Sequence, residues 1–293
     1  MKNPDRPIPA ENEEGNFITV QDGLKIFVYE YVPVSDFKNT IYIISGITGI
    51  NHKSEKDIIE LLSNNVNHVV VIHPRGTGYS EGSKGDVDPD AIIKDYSEII
   101  SRDSSYTTGN KKILLYGHSM SCAFALEVAE RLSEVDGEIL INPPIKLKPA
   151  KGMSPGLLNY LKYIGYYVFA PHKPVVNMAG DPSLIMDESD RFESEQRNTD
   201  PLLVKYFSMR CMAESKKIMN TMLNNARKAD FPLLLLYGES DNIVDKAGCD
   251  EIYSAWKGKN KSYVLIKDGS HGKSTTVKGT EIIINWMESI YVQ

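Results

Sequence analysis

The stretch ILLYGHSMSCAFALEVAERL, residues 113–132, decides how this chain is read. An apolar run stops, a serine stands among small residues, and a helical pattern starts at once. Gly117, His118, Ser119, Met120 and Ser121 therefore form a strand–turn–helix junction. That junction is a nucleophile elbow, which holds a serine hydroxyl exposed above a sheet on a strained turn. The turn crowds the backbone, so the residues two before and two after the serine must be small. Gly117 and Ser121 meet that demand. Glycine is usual at both places, and Ser121 is a departure that small size makes tolerable.

A serine is a weak nucleophile until a base takes its proton. Downstream, the apolar strand Pro232–Tyr237 runs into a loop with Asp241, and the strand in KSYVLIKDGSHG runs into a loop with His271. Open α/β sheets carry their chemistry outside the carboxyl ends of their strands. His271 is the candidate base: it follows the last strand, and Gly269 and Gly272 permit a tight turn around it. His118 reads as a packing or hydrogen-bonding residue, and His73 and His52 as structural. Asp241 is the candidate orienter of His271. Asp245 competes but reads better as the N-cap of a helix starting near Lys246, and Glu239 is third. Acyl chemistry also needs donors for a developing oxyanion. The N–H groups of Met120, after the serine, and Ile47, in the loop Ser45-Gly46-Ile47-Thr48-Gly49, fill that role.

At 293 residues the chain is long enough for one large domain or a domain with a sizeable insertion. With 41% hydrophobic and 25% charged residues it has ordinary globular composition. A net charge of −6 gives no reason to expect a nucleic-acid partner. No apolar run reaches the length of a membrane span, and the first residues lack the apolar core of a signal peptide. Cys122, Cys211 and Cys249 are too few and too scattered for a disulfide framework or zinc site. A reduced, cytoplasmic setting is expected.

Residues 1–15 read as a loose polar arm. Phe17–Val20 and Leu24–Val32 flank Asp22-Gly23, a hairpin signal. From Asn39 apolar runs of four to six residues alternate with amphipathic helical patterns, which predicts a mostly parallel sheet flanked by helices. The alternation breaks at Pro143-Pro144. Residues 143–209 are expected to form an inserted helical cap between two parts of one core, 16–142 and 210–293. Helical periodicity is expected across LLVKYFSMRCMAESKKIMNTMLNNARKAD, and one closing helix across TVKGTEIIINWMESIYV. In the cap, Leu157, Leu158, Tyr160, Leu161, Tyr163, Ile164, Tyr166, Tyr167 and Phe169 suit either an acyl pocket or packing on the core. The acidic run 187–195 reads as a solvated face. Two glycine-rich loops, Pro74–Gly82 and Gly269–Ser274, miss the spacing of nucleotide-binding motifs.

Taken together, SGITG, PRGTGYSEG, GHSMS, NTDPL, GESDNIVD and GSHG resemble the α/β-hydrolase superfamily over about residues 16–290. More narrowly they resemble its monoacylglycerol lipase and lysophospholipase branch. The resemblance implies Ser119, Asp241 and His271 as a triad, Ile47 and Met120 as oxyanion donors, a cap over an acyl pocket, and no metal or organic cofactor. It implies hydrolysis of a small carboxylic ester such as a monoacylglycerol or lysophospholipid. Thioesterase, acyltransferase, aminopeptidase and C–C hydrolase chemistry share the triad, and a non-catalytic ligand-binding homologue shares the fold. The partner expected is a small acyl ester, with at most transient lipid contact through the cap and no membrane insertion. Where the branch often carries His before the oxyanion-loop glycine this chain has Ser45, and where it often carries Asp this chain has His73.

Overall fold

The computed structural model describes residues 6–33, 37–64, 66–103, 111–149, 157–179, 182 and 188–290. In chain order the strands are β1 (Asn16–Thr19), β2 (Lys25–Tyr31), β3 (Asn39–Ile43), β4 (Asn67–Ile72), β5 (Lys112–His118), β6 (Gly137–Ile141), β7 (Pro174–Asn177), β8 (Tyr206–Ser208), β9 (Leu233–Gly238) and β10 (Lys261–Ile266). The helices are α1 (Lys56–Ser63), α2 (Pro89–Arg102), α3 (Ser121–Arg131), α4 (Leu157–Phe169), α5 (Glu188–Thr199), α6 (Met209–Ala226), α7 (Lys246–Ala255), α8 (Ser274–Lys278) and α9 (Thr280–Ser289).

Eight strands form one sheet in the order β1-β2-β4-β3-β5-β6-β9-β10. The β1–β2 hairpin and the β2–β4 pair are antiparallel, and every later neighbour is parallel. Every residue of β3, β4, β6 and β9 is buried. That burial explains their continuous apolar runs, because a parallel sheet is covered on both faces. One face carries α2, α3, α6 and α7 over a core that includes Tyr96, Phe124, Met222 and Ile252. The other carries α1 and α9, packed through Ile58, Leu62, Ile283 and Met287.

Between Ile141 and Leu233 the chain leaves this sheet and runs through α4, β7, α5, β8 and α6. Strands β7 and β8 pair with each other as a separate antiparallel ribbon. The helical pattern expected from Leu202 onward starts only at Met209. Tyr206–Ser208 is extended against β7, and the Ser208 hydroxyl caps α6 by accepting from Cys211 N–H at 3.0 Å. The closing helix is also divided: Gly279, a poor helix former, separates α8 from α9. Along α4, Ile164, Tyr167 and Phe169 are exposed rather than packed on the core. The side chains of Leu157, Leu158, Tyr160 and Leu161 lie outside the described residues, as do residues 1–5 and 291–293.

Residues 6–15 are not loose. Tyr79 N–H donates to His73 Nδ1 at 3.2 Å, His73 Nε2 pairs with His52 Nδ1 at 3.3 Å, and His52 Nε2 pairs with Glu13 Oε1 at 2.8 Å. One tautomer satisfies all three: each ring accepts at Nδ1 and donates from Nε2. Glu13 Oε2 also accepts from Lys53 Nζ at 2.6 Å and from the Tyr79 hydroxyl at 3.0 Å. Burial raises the Glu13 pKa, but hydrogen bonds from Lys53, His52 and Tyr79 outweigh it and bring it to about 2. The glycine-rich loop after β4 wraps this pair of rings. Gly78 has φ +52, and a Cβ on it would strike the His73 ring. Arg75 in the same loop is committed to Asp95 through two hydrogen bonds, of 2.6 and 2.5 Å. Tyr79 of this loop therefore anchors the N-terminal arm, through its hydroxyl at Glu13 and its carbonyl at Arg6.

Candidate active site

Ser119 follows β5 directly and has φ +53, a left-handed conformation uncommon for a residue with a side chain. Its N–H donates to Ile141 O at 2.8 Å, and its C=O accepts from Cys122 N–H at 3.0 Å, so the strained turn is held at both ends. A Cβ at Gly117 would come within 3.0 Å of the Cys122 backbone and Ser121 O, which is why that position is glycine. Ser121 has a use that glycine lacks. Its hydroxyl accepts from Gly46 N–H at 3.1 Å and ties the elbow to the loop after β3. Ser45 in that loop is fully buried, and its N–H donates to the Tyr96 hydroxyl at 3.1 Å.

The three candidate side chains meet. His271 Nε2 accepts from the Ser119 hydroxyl at 2.8 Å, and His271 Nδ1–H donates to Asp241 Oδ2 at 2.8 Å. The carboxylate can only accept, which fixes the proton on Nδ1 and leaves Nε2 free to act as a base. Asp241 is 1% exposed, and its other oxygen accepts from Ile243 and Val244 N–H, both at 2.8 Å. Burial pushes its pKa up, but His271 and the two N–H groups more than compensate and hold it below the usual range. Asp245 instead caps α7, accepting from Ala247 N–H at 2.9 Å, and Glu239 is exposed. The N–H groups of Ile47 and Met120 have no acceptor among the described residues.

Four further residues fix the loop around His271. Asn142, with φ +49 at the end of β6, donates from Nδ2 to Ser270 O at 3.1 Å and His271 O at 3.2 Å. Its Oδ1 accepts from Gly238 N–H at 2.9 Å, so one buried amide bridges the loops after β9 and β10. His118 Nε2–H donates to His271 O at 2.5 Å. Burial, then the neighbouring His271, lowers the His118 pKa, so it acts as a neutral donor. From α5, Asp190 accepts from the Ser270 hydroxyl and Gly272 N–H, both at 2.7 Å, and Glu193 accepts from Lys273 N–H at 2.5 Å. The acidic run is therefore not merely a solvated face. Asparagine ending a strand just before Pro143 is a signal that a close reading can find, since asparagine tolerates positive φ. Asp190 and Glu193 give no such signal. Among the described residues no cluster of three His, Cys, Asp or Glu side chains is arranged to hold a metal ion.

A mostly parallel eight-stranded sheet with a serine elbow and an aligned Asp–His–Ser chain defines an α/β-hydrolase. The sequence matches the family described as serine aminopeptidase, S33, over residues 35–274, and the chain belongs to that family of hydrolases. No curated protein matches it. Among solved structures it is similar to a soluble variant of monoglyceride lipase from Saccharomyces cerevisiae in complex with a substrate analog. That match has TM-score 0.76 and 20% identity, covering 97% of this chain and 98% of that one. The monoacylglycerol lipase of Paleococcus ferrophilus matches with TM-score 0.64 and 20% identity, over 89% and 99% of the two chains. N-formylmaleamic acid deformylase from Pseudomonas putida S16 matches with TM-score 0.59 and 15% identity, over 92% and 100%. At these identities the likeness is one of fold, and such a fold carries more than one chemistry.

Proposed function

We propose that the protein is a serine esterase that cleaves a small carboxylic ester, such as a monoacylglycerol or lysophospholipid, through an acyl-enzyme. The observation that carries this reading is the unbroken line from Asp241 through His271 to Ser119, with both links at 2.8 Å. Ser119 Oγ attacks the acyl carbon as its proton passes to His271 Nε2. Asp241 stabilises the imidazolium that results. The carbonyl oxygen becomes an oxyanion held by the Met120 and Ile47 N–H groups, and loss of one such donor costs about 3–4 kcal/mol. The intermediate collapses, and His271 returns its proton to the departing alcohol. Water, deprotonated by the same histidine, then releases the acid and restores Ser119.

The segment 143–209 serves in this reading as a cap over the acyl pocket. The exposed Ile164, Tyr167, Val168 and Phe169 of α4 support brief contact with a lipid surface as the substrate enters. No helix among the described residues is long and apolar enough to cross a membrane. Three free, buried cysteines support a cytoplasmic setting.

The family description favours a second reading, an aminopeptidase. Such an enzyme needs cap carboxylates free to bind a substrate amine. Asp190 and Glu193 are instead engaged by the His271 loop, which weighs against it. The test compares p-nitrophenyl esters of increasing acyl length and a monoacylglycerol with aminoacyl p-nitroanilides. The esters should turn over, with activity lost in Ser119→Ala. Anilide cleavage with inert esters would transfer the assignment to the peptidase.

A further inference from the structure

The His271 loop is held from two sides. From the sheet, Asn142 and His118 take the carbonyls of Ser270 and His271. From α5, Asp190 Oδ1 takes the Ser270 hydroxyl and Gly272 N–H, both at 2.7 Å, the groups on either side of the base. One turn along, Glu193 takes Lys273 N–H. Gly272 fits this clamp sterically: a Cβ there would run into Asp190 Oδ1 and come within 2.8 Å of Glu193 Oε1. Lys273 is not the attraction. Its ammonium turns away to Asp57 at 3.1 Å and Glu55 at 3.4 Å. Helix α5 itself belongs to the stretch that leaves the main sheet between β6 and β9.

Gly269 N–H donates to Ile266 O and Ser270 N–H to Ser274 Oγ, but among the described residues the Gly272 and Lys273 N–H groups find their acceptors only on α5. A base displaced by about 1 Å loses roughly 100-fold in rate.

We propose that Asp190 is a positioning residue for His271, so that the base is aligned with Ser119 only when α5 is seated on the loop at Ser270 and Gly272. This rests on the esterase reading, because it presumes that Ser119 and His271 react. Seating of the segment that contains α5 and readiness of the base then become one event.

The full chain tests this with Asp190→Ala and Asp190→Asn. The asparagine keeps an oxygen acceptor where the alanine does not. On a short p-nitrophenyl ester, Asp190→Ala should lose about 10- to 100-fold in kcat with little change in KM. Its rate of labelling by a fluorophosphonate should fall in parallel, and Asp190→Asn should recover most of both. If Asp190→Ala does not fold, Ser270→Ala removes one of the two bonds to Asp190, together with the Ser274 hydroxyl contact that Ser274→Ala controls for, and should lower the labelling rate in the same direction. Wild-type kinetics in Asp190→Ala, or in Ser270→Ala where that variant is used instead, overturns the proposal. So does equal loss in the alanine and asparagine variants, since that points to charge rather than to an acceptor. Wild-type protein that labels while Asp190→Ala labels equally fast removes this inference alone. Wild-type protein that never labels removes the esterase reading and this inference with it.

Discussion

At the scale of single residues, two aspartates four positions apart do different work. Asp241 is buried and ionised against His271, whereas Asp245 ends its side chain on a helix N–H. Asp241→Asn should lower kcat by about 10⁴ by favouring the wrong imidazole tautomer. Asp245→Ala should cost about 1 kcal/mol of stability and leave kcat near wild type. Kinetics and urea unfolding of the two variants check the pair, and the reverse pattern would exchange their roles. Ser119, Asp241 and His271 were legible in the sequence because each follows an apolar strand in the order Ser, Asp, His. Gly117 was legible from the crowding of the turn. The use of Ser121 was not, because its partner Gly46 lies 75 residues away in a different loop. Asp190 escapes for the same reason: its hydrogen bonds reach from a separate helix, and no local pattern encodes them. Asn142 before Pro143 shows its turn, but not the carbonyls it holds across the sheet.

At the scale of elements, apolar runs and helical periodicity located the buried strands and their covering helices. Burial on both faces is what writes a strand as a continuous apolar run, so β3, β4, β6 and β9 were the clearest. The boundaries that differ do so where a hydrogen bond or glycine intervenes. Ser208 closes β8 and opens α6, and it is fully buried with its hydroxyl donating to Asp86 Oδ1 at 2.5 Å. Ser208→Ala removes the cap and leaves a carboxylate short of a donor. It should lower the unfolding free energy by about 1–2 kcal/mol, read from urea denaturation. An unchanged midpoint and slope would mean that α6 needs no cap there. The N-terminal arm differed from expectation because a buried histidine pair offers Glu13 a partner, and composition alone shows only that the arm is polar.

At the scale of the whole molecule, buried ionisable groups bound stability on both sides of neutral pH. His73 is fully buried, and burial, followed by the nearby His52, lowers its pKa from 6.5 to about 3. The folded state thus binds fewer protons than the unfolded state, and stability falls as pH drops below 6.5 toward 3. His52 and His118 are lowered too and act in the same sense. Glu138 in β6 is the opposite case. Both its oxygens are buried with no partner among the described residues, and burial raises its pKa well above 4.5. The folded state keeps a proton that the unfolded state releases, so stability falls as pH rises above 4.5. One such proton gives a slope of about 1.4 kcal/mol per pH unit. Glu138→Leu should therefore stabilise the fold, by more at pH 8 than at pH 5, and leave the acid-side loss due to the histidines. Urea unfolding across this range checks it, and an equal gain at every pH would contradict the buried-acid account.

If Ser119 is the activated nucleophile, it alone should react with an electrophile that traps serine hydrolases. The most direct measurement is reaction with a fluorophosphonate, followed by intact mass and peptide mapping, on wild type and Ser119→Ala. A single adduct on Ser119 and none in the variant is the expected result. A folded wild-type protein that forms no adduct, or one that is modified at another residue, would contradict it.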